Sequence, residues 1–169
     1  MSSSRNNWVL LAALASTVLA ADQISKNIII RVLQVGESVP VLPPVFAITR
    51  SENTGSAFGF LPNAGDLFLI LAIVIVAGLL LFYRRIPPRA LLTRIGVALV
   101  CGGALGNATD RVFHGAVIDF IHYTLPGVIS NISNLADHAI VLGVILIVIE
   151  SWRSDAPAAG SGAPPEEDR

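Results

Sequence analysis

The sequence predicts an all-α membrane protein: four transmembrane helices with a small extramembrane β-rich platform on the outer face. Three observations lead there. Of 169 residues, 53% are hydrophobic and only 14% charged, against about 25% charged in soluble domains. Four apolar stretches each reach the roughly 17–25 residues that a helix needs to cross a hydrocarbon core. Between the first two, Gly36, Pro40, Pro43 and Pro44 interrupt short runs that suit strands better than helix.

The first span covers about Trp8–Asn27. Arg5, the apolar run and Val18-Leu19-Ala20-Ala21 have the outline of a cleavable signal peptide. Apolar character resumes at Ile28-Ile29-Ile30, however, so the segment reads as an uncleaved span. From Ile28 to about Asn63 the chain forms the platform, with strands expected at Val39–Leu42 and Val45–Thr49. The second span is about Ala64–Tyr83. After a tight basic loop, the third covers about Leu91–Thr109 and carries Gly96, Gly102, Gly103 and Gly106, small residues that let membrane helices approach closely. A second polar stretch, Asp110–Ile132, leads to the fourth span at about Ser133–Trp152.

Residues 1–152 are thus expected to form a single four-helix domain, with spans at about 8–27, 64–83, 91–109 and 133–152. Residues 153–169, rich in Ala, Gly and Pro, read as a disordered cytoplasmic tail. The four arginines from Arg84 to Arg94 assign that loop to the cytoplasm by the positive-inside rule. Both termini then lie inside, and the stretches 28–63 and 110–132 face outward. A net charge of −1 gives no general attraction to nucleic acid. The single cysteine, Cys101, excludes a disulfide within the chain and reads as packing.

Ionisable residues in or beside spans are costly and point to function. Here they gather at one membrane level. Asp22 and Lys26 close the first span, Asp110 and Arg111 follow the third, and Asp119 and Asp137 flank the start of the fourth. Asp119 stands out in the apolar run Val117-Ile118-Asp119-Phe120-Ile121. Asp137 suits position N3 of a helix capped by Asn134, where a carboxylate also favours the helix dipole. Two carboxylates brought close share a proton, since both cannot ionise readily. Such a pair has the acid and the base that peptide hydrolysis needs. Plainer readings stand beside this one. Asp22 and Lys26, at i and i+4, suit a surface ion pair. Asp110-Arg111 suits a local charge pair, Asn107 a bond to loop backbone, and Asn53-Thr54-Gly55 an ordinary turn.

The segments Asp22-Gln23-Ile24-Ser25-Lys26, Glu52-Asn53-Thr54-Gly55-Ser56-Ala57-Phe58, Gly102 to Arg111, Val117-Ile118-Asp119-Phe120 and Asn134-Leu135-Ala136-Asp137 occur in an order and spacing that resembles the lipoprotein signal peptidase (signal peptidase II) family, across about residues 8–152. The resemblance implies a bacterial inner-membrane aspartyl endopeptidase. It would remove the signal peptide from diacylglyceryl-modified prolipoproteins, cutting just before the lipidated cysteine. It implies Asp119 and Asp137 as the catalytic pair, with Asp22, Lys26, Asn53, Gly55, Asn107, Asp110, Arg111 and Asn134 binding substrate or supporting the site. It also implies no cofactor and no metal. The expected partners are prolipoprotein substrates and membrane lipids, for a monomer with its active site at the outer face. Glycines of the third span would leave room for the incoming signal helix.

Three other functions use the same residues. A small proton- or cation-coupled transporter would bind its ion with Asp22, Asp119 and Asp137. A metal site would draw on Asp119, His122, Asp137 and His138, without an HExxH pair. A serine protease would centre on Ser56, for which no histidine is singled out.

Overall fold

The structure is a computed structural model that describes residues 2–55 and 64–155. Four helices, α1 (Ser2–Val32), α2 (Ala64–Tyr83), α3 (Leu91–His114) and α4 (Leu135–Asp155), each contain an apolar length sufficient to cross a membrane. Two hairpins are inserted between them. Strands β1 (Ser38–Leu42) and β2 (Phe46–Asn53) lie between α1 and α2, and β3 (Val117–Leu125) and β4 (Ile129–Ser133) between α3 and α4. Both expected strands are present, and so is the platform.

The helix limits differ from expectation in an instructive way. α1 runs on to Val32 and α3 to His114, past Asn27 and Thr109. Their terminal charges do not end the helices, because Lys26 and Asp110 are buried and paired with each other. Glycine ends α3 instead: Gly115 takes a left-handed φ of 71° and its N–H closes on the Arg111 carbonyl. At the other terminus, residues 153–155 of the expected tail belong to α4, and the rest of that tail lies outside the described residues.

α3 is the central helix, with two-thirds (67%) of its apolar span buried, while none of the corresponding part of α2 is. Its glycines explain how. A Cβ on Gly102 would lie 2.7 Å from the Ala15 carbonyl oxygen of α1. One on Gly96 would lie 2.5 Å from the Gly143 oxygen of α4, and one on Gly103 would overlap the Ala136 carbonyl. The backbones are therefore close enough that only hydrogen fits. This corrects one expectation: the glycine faces are filled by α1 and α4 and leave no lane for a further helix. Leu11, Ala15, Tyr83, Val97, Ala98 and Cys101 complete the core, with Cys101 as packing.

The sheet is antiparallel throughout, in the order β1-β2-β3-β4, so the two hairpins join through β2 and β3. Phe120 and Ile121 bury against Ile29 and Leu33, the continuation of α1 beyond the predicted span. Arg50 on β2 fastens the same junction. Its guanidinium donates to the carbonyls of Ile30 (3.2 Å) and Leu33 (2.9 Å), which the end of α1 leaves without helical partners. The platform is thus tied to the helix ends at one pole of the bundle.

Candidate active site

Where β3, β2 and the first turn of α4 meet, polar side chains from five elements form one network. Its lower layer is ionic. Lys26 of α1 is 1% exposed and places its ammonium 2.8 Å from Asp22 and 2.8 Å from Asp110 of α3. Both carboxylates also hold backbone. Asp22 accepts the Ala136 N–H of α4 at 3.0 Å, and Asp110 accepts the Ile118 N–H of β3 at 3.0 Å. One buried ion cluster therefore locks α1, α3, β3 and α4 together. Gln23 completes it by donating to Asp110 at 2.8 Å.

The upper layer holds the two candidate acids, and its amide orientations follow from the lower one. Lys26 can only donate. It donates to Asn107 Oδ1 at 3.0 Å, which turns Asn107 Nδ2 outward to Asp137 Oδ1 at 2.7 Å. The same Asn107 Oδ1 accepts from Asn134 Nδ2 (3.2 Å), which also donates to Asp119 Oδ1 at 2.6 Å. Asn134 Oδ1 then faces the Asp137 N–H, 2.9 Å away, as the N-cap of α4. Asp119 Oδ2 accepts from Asn53 Nδ2 at 3.1 Å. That reach follows from register. Asn53 stands opposite Val117, so it is the diagonal neighbour of Asp119 on the same face of the sheet. Gly55 donates its N–H to Asn53 Oδ1 (2.9 Å) and holds that side chain's orientation.

Asp119 is 3% exposed. Burial pushes its carboxyl up to about 6, and the charge of Asp137 adds to this, while the Asn53 and Asn134 amides and Lys26 oppose it. A cavity of about 520 Å³ opens beside the two acids. Tyr123, Ser133 and His138 also line it, and Val141, Leu142 and Ile145 of α4 give it an apolar wall.

A family model described as Signal peptidase (SPase) II matches residues 14–153. The chain belongs to the signal peptidase II family. Relatives agree over nearly the whole length. The lipoprotein signal peptidase of Geobacillus thermodenitrificans is 39% identical over 153 residues, covering 90% of this chain and 96% of the relative. That of Pelotomaculum thermopropionicum is 42% identical over 137 residues, covering 81% and 88%. Among solved structures, a bacterial membrane enzyme determined by the in meso method superposes with a TM-score of 0.78 at 35% identity, covering 86% of this chain and 93% of that one. As a signal peptidase II, the chain is a multi-pass bacterial membrane peptidase of the aspartic type.

Of the residues singled out from sequence, the structure brings together Asp22, Lys26, Asn53, Asn107, Asp110, Asp119, Asn134 and Asp137. The plainer readings give way. Asp22 and Lys26 are buried, not a surface pair; Asp110 pairs with Lys26, not Arg111; Asn107 bonds side chains, not a loop. Arg111 makes no hydrogen bond to these side chains, but its charge faces Asp137, Asp110 and Asp119; its guanidinium donates to the Asn107 carbonyl (3.2 Å) and lies 5.4 Å over the Phe68 ring. His122 turns both ring nitrogens to hydroxyls, Thr49 and Ser130, three residues from Asp119 and so on the other face of β3. Ser56 lies outside the described residues. Gln23 and Arg50 escaped the sequence reading. Gln23 lies one position after Asp22 in a motif already singled out, which was a usable signal; nothing local distinguishes Arg50.

Proposed function

We propose that Asp119 and Asp137 form the catalytic dyad of an endopeptidase that removes the signal peptide from diacylglyceryl-modified prolipoproteins, cutting just before the lipidated cysteine. One observation carries this. Two acids from different elements, a strand and a helix start, are tied through the single amide of Asn134 beside an apolar groove. In the reaction, the ionised acid takes a proton from the attacking water. The protonated one donates to the scissile carbonyl as the tetrahedral intermediate forms. The proton then passes to the leaving amine. Asn53, Asn107 and Asn134 keep the two carboxyl groups facing the groove. The substrate's acyl chains stay in the leaflet, so the bond to be cut is held at the bilayer surface, level with the helix ends. Membrane lipids surround a monomer in this reading.

The deciding assay incubates purified enzyme with a diacylglyceryl-modified prolipoprotein and with its unlipidated form. Cleavage of the first alone, with cysteine as the new N-terminus, is expected; no cleavage of either would favour ion transport by the same acids. The kcat/KM profile should be bell-shaped. Below the lower limb both acids are protonated and no base remains. Above an upper limb at about pH 6, set by the buried Asp119, the shared proton is lost. Chelators should have no effect. A profile without an acid limb, or activity restored only by added zinc, would refute the shared proton.

The orientation is a further part of the proposal: both termini in the cytoplasm and the dyad at the outer face. A cysteine introduced at residue 38 or 128 in a Cys101→Ala background should react with an impermeant reagent from outside, and one at residue 88 should not. The reverse pattern would invert the protein.

A further inference from the structure

A cavity larger than the one at the dyad lies at the opposite pole. It measures about 940 Å³ and is set between the α2–α3 loop and the last turns of α4. Three exposed arginines line it: Arg85 and Arg89 from the loop and Arg153 from α4. None of the three forms an ion pair with a carboxylate among the described residues. The acid in the wall, Glu150, has one oxygen engaged with the Leu92 N–H at the start of α3 (2.9 Å). Three positive charges against one negative leave the lining cationic.

The loop that carries two of the arginines is held in shape. Buried Arg94 donates to the carbonyls of Pro87 (3.2 Å) and Ile86 and lies over the Tyr83 ring. Tyr83 is anchored in turn by a hydrogen bond to the Asn7 carbonyl (2.6 Å). The cationic wall is therefore a fixed surface, not a floppy turn. Its other wall is apolar, with Phe82, Leu91 and Ile147. Trp152, 73% exposed beside Arg153, suits the interface between headgroups and hydrocarbon.

We propose that this cavity binds the headgroup phosphate of an anionic phospholipid, with the apolar wall receiving the upper part of an acyl chain. Guanidinium groups grip phosphate oxygens in pairs. A basic hollow between helix ends at the membrane surface suits an anionic lipid. The continuity of charge and grease in one cavity favours a lipid over a free anion. The proposal stands apart from the catalytic reading and needs no activity measurement.

The test is thermal unfolding of the full chain in neutral detergent, with added phosphatidylglycerol, phosphatidylcholine or inorganic phosphate. Phosphatidylglycerol at about ten times its Kd should raise Tm by roughly 3–6 °C, and the other two should not. The triple variant Arg85→Gln/Arg89→Gln/Arg153→Gln should lose the shift, whereas Arg31→Gln, at the sheet end, should keep it. Far-ultraviolet circular dichroism and an unaltered Tm without added lipid would show that the triple variant is folded. Equal shifts with both lipids, or a shift that survives the triple substitution, would overturn the proposal. So would a shift given by phosphate alone, which would mark a free-anion site. A response seen only after removal of residues 156–169 would also overturn it, and would make the acidic tail the occupant.

Discussion

Asp137→Asn is expected to lower prolipoprotein cleavage on the order of 10³-fold, the usual scale for losing a general acid or base, while the protein still unfolds at its normal temperature. The two effects separate because of what Asp137 touches. Its Oδ1 accepts one hydrogen bond, from Asn107, and an asparagine can present its own oxygen there. The helix cap survives too, since Asn134 bonds the backbone N–H of residue 137 and not its side chain. What is lost is the ionisable group, with the small contribution of its charge to the helix start and to Arg111. Asp119→Asn should abolish activity equally but with some loss of stability. Both oxygens of Asp119 accept from amides, Asn53 and Asn134, so an introduced NH2 must face one of those donors. Turnover, circular dichroism and melting in detergent would be measured together. Near-normal turnover in either variant would remove that residue from the mechanism, however the protein melts.

Lys26→Met should be the most destabilising single change in the site. The ammonium stands between Asp22 and Asp110, which are 0% and 1% exposed. Removing it leaves two carboxylates buried without a counter-charge, and breaking a buried pair costs about 3–5 kcal/mol. In a chain of this size that corresponds to roughly 10 °C in Tm. The loss should be partly repaired in Lys26→Met/Asp110→Asn, which removes one of the stranded charges. A single variant that melts like the parent would mean that the cluster is hydrated or protonated, and its role as a lock would be lost.

The parts of the molecule that sequence made legible are those with a local cause. α2 begins and ends where its uniform apolar run does; β1 starts just after Gly36, and Pro43 and Pro44 separate it from β2. Asn134 and Asp137 carry a capping pattern that depends on three intervening bonds and nothing else. Distance in the chain defeated the rest. Lys26 and Asp110 look like span ends because charge normally means water; 84 positions apart, each supplies the neutralisation that lets the other stay inside its helix. The third-span glycines announce close packing, but not against which helix. Arg50 resembles any platform arginine until the end of α1, with its unpaired carbonyls, is seen beneath it.

The amide of Asn134 has a mechanical consequence. Its nitrogen holds Asp119 on the sheet, and its oxygen holds the backbone that carries Asp137 on the helix. The span between the two anchor points is thus set by one planar group whose bond lengths do not change. A bilayer that thickens, thins or tilts the helices will shift sheet and bundle relative to each other. That movement must be absorbed away from this amide or break a bond at one of its ends. The enzyme should therefore keep its chemistry constant across lipids of different thickness, varying in how well substrate is seated and not in how fast the seated bond is cut.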